Sequence, residues 1–289
     1  MLNLHLLECT LKGYDHISDL LLAKYWVITG CKYCKCTSLK SVTIPDSVTK
    51  IGEKAFYRCT SLESVTIPDS VTSIGEWAFY DCSGELIINS KIIETDYSYD
   101  NYPIIDSSSW LYKARFSKLT IGDSITKIGD SAFQECSSLT SVTIGNGVTE
   151  IGDYTFYNCT SLTSVTIPDS VTSIGEEAFY RCNSLTSVTI GNSVTSIGYR
   201  AFRYCDSLTR VDITDIEAWC KISFVDGISN PLYYAHNLYL NGELVTDLVI
   251  PDSVTSIEAG AFIGCNKLTS VTIPDSVTKI GGRAFEYCI

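Results

Sequence analysis

Cysteine is the most chemically versatile residue in this chain, and most of its copies follow a fixed spacing. Nine of the thirteen cysteines recur mainly at intervals of 23 residues, at Cys36, Cys59, Cys82, Cys136, Cys159, Cys182, Cys205, Cys265 and Cys288. Disulfides between successive copies would demand suitable geometry at every step, whereas reduced cysteine packs as a small hydrophobe. We therefore expect this cysteine column to be reduced and structural.

A second cysteine pattern, Cys31-x-x-Cys34-x-Cys36, has a spacing found in metal sites, with Cys9 as a distant fourth ligand. A structural zinc ion needs four ligands, usually from two such clusters. No second Cys-x-x-Cys follows, and Cys36 already belongs to the cysteine column. We therefore predict no metal site.

The sequence offers no constellation for catalysis. The three histidines, His5, His16 and His236, are scattered, and the carboxylates lie on repeating turns instead of forming an isolated acid–base pair. Calcium binding by the turn aspartates is an alternative, but they carry few further carboxylates and suit Asx turns better: Asp46, Asp69, Asp169, Asp252 and Asp275. A non-enzymatic protein without cofactors is predicted.

The elements that position these residues come from a 23-residue repeat. One copy reads Cys159-Thr-Ser-Leu162-Thr-Ser-Val165-Thr-Ile167-Pro-Asp-Ser-Val171-Thr-Ser-Ile174-Gly-Glu-Glu-Ala178-Phe179-Tyr-Arg181. A period of about 20 to 50 residues is typical of a solenoid, in which each coil packs only on its neighbours. Leu-x-x-Val-x-Ile alternates as a half-buried strand, Pro-Asp-Ser turns the chain, and Val-Thr-x-Ile-Gly is a second extended piece.

The run Leu-x-x-Val-x-Ile-Pro-x-x-Val-x-x-Ile-Gly-x-x-Ala-Phe-x-x-Cys resembles the BspA-like leucine-rich repeat over residues 36–289. The resemblance implies an α/β-type solenoid, an arc of about ten coils. One strand per coil would lie on one face, with short extended, 3₁₀ or helical turns on the other. It also implies a cell-surface or secreted adhesin-type protein.

The repeat divides the chain into two regions. We predict an irregular or helical cap over residues 1–35 and a solenoid over 36–289, with longer coils at 82–112 and 205–241. The N-terminal leucines lack a preceding basic region and no long apolar stretch occurs, so no signal peptide or membrane anchor is predicted in this chain. We expect a monomer or a part of a longer repeat array.

Eight of the ten phenylalanines share one position in the repeat, at Phe56, Phe79, Phe133, Phe156, Phe179, Phe202, Phe262 and Phe285. Such a column is either an aromatic binding stripe or a stacked core. A solenoid needs one large side chain per coil to fill its interior, so we interpret this phenylalanine column as core.

Binding residues are expected where the strand pattern points outward. Those positions are Ser41, Thr43, Ser64, Thr66, Ser141, Thr143, Ser164, Thr166, Ser187 and Thr189, with Arg210 and Asp212 replacing the hydroxyls in one coil. We predict that this strand face binds a ligand. The simpler alternative is that Ser and Thr only solvate a sheet, because few of the aromatic or Arg anchors of interfaces are present.

The two longer coils add aromatic residues, and insertions in repeat proteins often carry binding. Tyr97, Tyr99 and Tyr102 in the first are predicted to contact the ligand. Those of the second are predicted to be mainly structural: Trp219, Phe224, Tyr233, Tyr234 and Tyr239, with Asn241-Gly242 forming a type I′ hairpin turn.

Taken together, these features predict a non-catalytic module that binds a protein or a glycan. The net charge of −12 argues against nucleic acid, which requires a basic face. The alternatives are a spacer that presents another domain and an intracellular protein-interaction module.

Deleting residues 94–109 tests the predicted role of the first insertion. We expect the deletion to weaken attachment of the purified chain to cells, because it removes the predicted ligand contacts Tyr97, Tyr99 and Tyr102. Attachment equal to that of the intact chain would exclude these residues from the binding surface.

Overall fold

The computed structural model describes residues 26–28, 36–90, 110–111 and 113–288. These residues form a β-solenoid of about ten coils with few helices, which confirms the predicted fold class. Of the predicted cap, Trp26–Ile28 form a strand, and the rest of residues 1–35 lies outside the described residues. No helix among the described residues is long and apolar enough to span a membrane.

Short strands carry the fold, and each standard coil contributes two of them. In chain order they are β1 Trp26–Ile28, β2 Ser41–Thr43, β3 Val48–Ile51, β4 Ser64–Ile67, β5 Ser73–Ile74, β6 Ser83–Ile88, β7 Arg115–Ile121, β8 Lys127–Ile128, β9 Ser141–Thr143, β10 Glu150–Ile151, β11 Ser164–Thr166, β12 Ser173–Ile174, β13 Ser187–Thr189, β14 Ser196–Ile197, β15 Arg210–Ile213, β16 Ser223–Phe224, β17 Leu238–Leu240, β18 Glu243–Leu244, β19 Asp247–Val249, β20 Ser256–Ile257, β21 Ser270–Thr272 and β22 Lys279–Ile280.

The chain divides into two compact units. The N-terminal unit holds the described residues up to Ile125 together with Cys136–Gly145, and the C-terminal unit holds the rest. In the N-terminal unit, β1, β3 and β5 form one parallel sheet, and β2, β4, β6, β7 and β9 follow one another in a second.

The C-terminal unit repeats this arrangement. One parallel sheet runs β8, β10, β12, β14, β16, and the other runs β11, β13, β15, β17. The last two coils pair β19 with β21 and β20 with β22. Within each of these sheets, successive coils are therefore joined by parallel strand pairing.

Threonines reinforce these columns by bonding across one period. The Thr172 backbone N–H and hydroxyl both donate to the carbonyl of Thr149, at 2.8 and 3.0 Å. The backbone N–H and the hydroxyl of Thr195 donate to the carbonyl of Thr172 in the same way, at 2.8 and 3.1 Å. The threonines of this column are thus structural hydrogen-bonding groups.

The Ala-Phe segments form tight hydrogen-bonded turns. The backbone N–H of Phe179 donates to the Ala201 carbonyl of the next coil at 2.8 Å, and that of Cys205 closes a turn on Phe202 at 3.2 Å. Several residues here adopt left-handed backbone conformations, with φ of 59° at Asn158, 58° at Arg181 and 63° at Tyr204.

The phenylalanine column is core, as predicted. The rings of Phe133, Phe156, Phe179 and Phe202 stack with centroids 5.5, 5.3 and 5.2 Å apart in succession. Seven of the eight are buried, at no more than 4% exposure. Stacking of this kind adds to the free energy gained by burying the rings.

The cysteine column is reduced in eight of its nine members, Cys36 being the exception. The thiols of Cys159, Cys182 and Cys205 lie 3.2–3.3 Å from the carbonyl of the phenylalanine 26 residues before each. Burial raises the pKa of the Cys136 and Cys182 thiols to about 12. These thiols are therefore weak S–H donors held away from reagents.

The expectation of a fully reduced column is wrong at Cys36, which is disulfide-bonded. Its position in the 23-residue spacing had assigned Cys36 to the column of reduced cysteines. The remaining cysteines of that motif, and Cys9, lie outside the described residues.

The second long coil is mainly structural, as predicted. Asp215 caps helix α1, Ile216–Cys220, and buried Trp219 donates from its indole nitrogen to the Ala261 carbonyl at 2.8 Å. A second helix, α2, covers Leu232–Ala235. The antiparallel hairpin β17–β18 turns through Asn241 and Gly242, at φ of 53° and 85°, which confirms the predicted type I′ turn.

The substitution Phe179→Ala tests how much the stacked phenylalanine core contributes to stability. It removes a fully buried ring between two stacked neighbours, so we expect a loss of about 3–5 kcal/mol in the free energy of unfolding, measured by urea denaturation. Thr166→Ala on the strand face is the matched control and should change stability by less than about 1 kcal/mol. A Phe179→Ala loss as small as the control's would contradict the stacked core.

Thiol titration tests the cysteine column. We expect Cys136, Cys182 and Cys265 to react little in the native protein near neutral pH, because thiol reagents attack the thiolate and burial raises the pKa of these thiols. In denaturant without reductant, nine to eleven thiols should react, since nine described cysteines are free and two of the thirteen sulfurs are in the Cys36 disulfide. Thirteen reactive thiols would exclude the disulfide.

Candidate functional site

The predicted strand-face residues of the N-terminal unit lie in register on neighbouring strands. Ser41 of β2 pairs with Ser64 of β4, and Thr43 with Thr66. Further along the same sheet, Ser141 and Thr143 of β9 pair with Lys118 and Thr120 of β7. Glu85 of β6 stands opposite Ser64 and Lys118, so charged residues interrupt the hydroxyl rows.

In the C-terminal unit one row crosses three neighbouring strands and the other crosses four. Ser164, Ser187 and Arg210 are aligned in one row on β11, β13 and β15. The second row runs Thr166, Thr189, Asp212 and Tyr239, the last on β17. The buried valines between them confirm that these side chains alternate outward. The structure thus brings the predicted residues of this unit together on one surface.

Arg210, Asp212 and Tyr239 form a cluster at one end of these rows. Arg210 Nε and Nη2 donate to the two carboxylate oxygens of Asp212 at 2.6 and 2.7 Å, a bidentate pair. The guanidinium carbon lies 3.9 Å from the centroid of the Tyr239 ring, a cation–π contact. The bonds to Asp212 raise the pKa of Arg210, and all three side chains remain part-exposed.

Sequence reasoning placed Tyr239 with the structural residues of the second long coil. The structure shows that it extends the strand face, because Leu238-Tyr239-Leu240 alternates like the repeat strand and pairs in register with β15. That alternation in the sequence could have predicted the position of Tyr239 on the strand face. The other predicted ligand contacts, Tyr97, Tyr99 and Tyr102, lie outside the described residues.

A second aromatic surface, not predicted from the sequence, follows the turn side of the coils. In the C-terminal unit, Tyr157 stacks on Tyr180 at 5.0 Å, and Tyr180 meets Tyr204 edge-on at 5.2 Å. Burial and the nearby Glu176 raise the pKa of Tyr154 in this stripe to about 12. This surface could have been predicted from the tyrosines that recur at or near the position after Ala-Phe in successive repeats.

Asp169, one of the turn aspartates, bonds to the neighbouring coil. The carboxylate of Asp169 accepts from the backbone N–H of Asn192 at 2.8 Å. Across the part of the chain that the structure describes, no three His, Cys, Asp or Glu side chains lie close enough to hold a metal ion.

The two strand columns, the stacked core and the 23-residue coil define a leucine-rich repeat protein. The family model of the BspA-type leucine-rich repeat region matches six copies over residues 27–101, 104–226 and 235–289. The chain therefore belongs to the BspA-type leucine-rich repeat family, as its repeat sequence implied.

Several solved structures are similar to this chain. A leucine-rich cell surface protein from Faecalibacterium prausnitzii is 30% identical over 68% of this chain and 60% of its own, with a TM-score of 0.39. A leucine-rich repeat protein from Eubacterium ventriosum is 22% identical over 87% and 65%, with a TM-score of 0.42. The pneumococcal vaccine antigen PcpA is 18% identical over 84% and 68%, with a TM-score of 0.37.

The chain thus spans less than two thirds of the length of the first and second of these proteins. No curated protein sequence matches it.

Proposed function

We propose that the chain is a non-catalytic recognition module, displayed at the cell surface or secreted, that binds a protein or glycan of host or neighbouring cells through its strand face. The observation that carries the proposal is the Arg210–Asp212–Tyr239 cluster beside the hydroxyl rows of β11 and β13. Arg and Tyr are the residues that most often supply binding energy at protein interfaces.

The geometry of this cluster suits binding. The bidentate bond and the ring contact hold Arg210 in one position before a ligand arrives. Binding then costs less side-chain entropy than it would with a free arginine. The neighbouring hydroxyls of Thr189 and Ser187 are half-buried and present small donors and acceptors around this anchor.

The Cys36 disulfide supports placement outside the cytoplasm. Disulfides form and persist in oxidising compartments and are rare in reducing ones. The buried thiols of the cysteine column are compatible with the same location, because burial protects them from oxidation. The family also supports this placement, since the resemblance implies surface or secreted adhesins.

The substitution Arg210→Ala tests the strand face. Fluorescently labelled chain is incubated with cultured epithelial cells, and binding is measured by flow cytometry with and without prior trypsin treatment of the cells. We expect the wild-type chain to bind, trypsin to abolish binding, and Arg210→Ala to weaken it at least about tenfold, a loss of about 1.4 kcal/mol. Tyr239→Ala should have a similar effect.

Arg283→Ala is the matched control, since it removes an exposed arginine from the turn side that pairs only with nearby Glu286 among the described residues. It should bind like the wild type. Equal binding by Arg210→Ala, Tyr239→Ala and the control would contradict recognition through the strand face.

A further inference from the structure

The turn side of the C-terminal unit contains an open depression that none of the strand-face residues line. Its walls are Asn158, Arg181, Asn183, Tyr204 and Asp206, and its volume is about 360 Å³. From these residues we infer a saccharide-binding site, separate from the strand face and independent of the function proposed for it.

The repeat itself builds this depression. Asn158, Arg181 and Tyr204 precede the column cysteine in three successive coils, and all three have left-handed backbones. Backbone bonds fix the spacing, because Asn158 N–H donates to the Tyr180 carbonyl at 2.7 Å and Arg181 N–H to the Arg203 carbonyl at 2.9 Å. The side chains of these three residues therefore lie side by side along the depression.

Two further residues depart from the repeat at this place. The position after the column cysteine is serine or threonine in the preceding coils, as at Thr60, Ser137 and Thr160, but it is Asn183 and then Asp206 here. In the orientation that satisfies its hydrogen bonds, the Asn183 amide donates to the carbonyls of Tyr204 at 2.8 Å and Arg181 at 3.2 Å.

Tyr204 supplies an aromatic wall. Its ring is 37% exposed, although Tyr180 packs edge-on against it and Arg203 donates to its hydroxyl at 3.0 Å. The Arg203 guanidinium also lies 4.7 Å from the centroid of the ring. These contacts hold Tyr204 in place and leave part of the ring accessible. Such a ring offers an apolar surface and a polar tip together.

The charged groups are free to engage a ligand. Arg181 lies near the rings of Tyr180 and Tyr204, at 5.5 and 5.7 Å, and within the described part of the chain neither Arg181 nor Asp206 forms an ion pair. The depression therefore combines a guanidinium donor, a carboxylate acceptor, two side-chain amides and one aromatic ring.

A saccharide matches this combination. Each pyranose ring carries adjacent hydroxyls that donate and accept at once, which suits neighbouring Asp, Asn and Arg groups, and its C–H face packs on an aromatic ring. A few convergent polar groups in a concave site are the usual basis of specificity for small ligands. A folded protein partner would instead require a larger apolar centre.

Two variants taken from the chain's own repeat test the site. Tyr204→Asn places the residue of Asn158 at the same left-handed position, and Asp206→Thr places that of Thr160 at the equivalent position. Both should keep the wild-type melting temperature. The probe is a glycan microarray carrying neutral, sialylated and sulfated oligosaccharides, followed by calorimetric titration of the strongest binder.

We expect the wild type to bind an oligosaccharide and each variant to weaken that binding at least about tenfold. Arg58→Asn, at the matching position of the N-terminal unit, and Arg283→Ala, at an exposed turn of the last coil, should bind like the wild type. Absence of binding to every glycan, or binding that survives both variants, would overturn the site. Loss in Arg210→Ala alone would overturn it too and would assign the saccharide to the strand face.

Discussion

The register between coils is the constraint on which the rest of the structure depends. In the standard coils a strand residue pairs with the residue 23 positions away, so a threonine hydroxyl meets the carbonyl of the preceding threonine and a phenylalanine ring stacks on the next. Glycine follows the second strand for the same reason. A Cβ at Gly175 would lie 2.5 Å from the backbone carbon of Gly152, its equivalent one coil earlier.

Register limits where the chain can vary, because strand pairing between coils has to be kept. Extra residues enter at turns, where α1, α2 and the β17–β18 hairpin occupy one long coil without interrupting strand pairing. Side chains vary on the strand face and at the turn beside the column cysteine. Both candidate binding surfaces, around Arg210 and around Tyr204, lie at such positions.

The sequence predicted the parts of the fold that repetition determines. The strand pattern, the phenylalanine core and the Asn241-Gly242 turn follow from local alternation and turn chemistry, and the structure confirms them. Tyr239 and the Tyr204 depression were not predicted, because their roles depend on which residues of different coils become neighbours. The Cys36 disulfide was missed because the repeat spacing assigned Cys36 to the reduced column. The strand-face ligand contacts remain predictions.

The central claim is that this chain is a recognition module displayed outside the cell, and brief protease treatment of intact source cells tests it most directly. Trypsin can reach exposed Arg181 on the turn side, and released peptides are identified by mass spectrometry. The account predicts peptides of this chain among those released, without peptides of cytoplasmic marker proteins. Recovery of its peptides only after cell lysis would contradict the account and favour an intracellular interaction module.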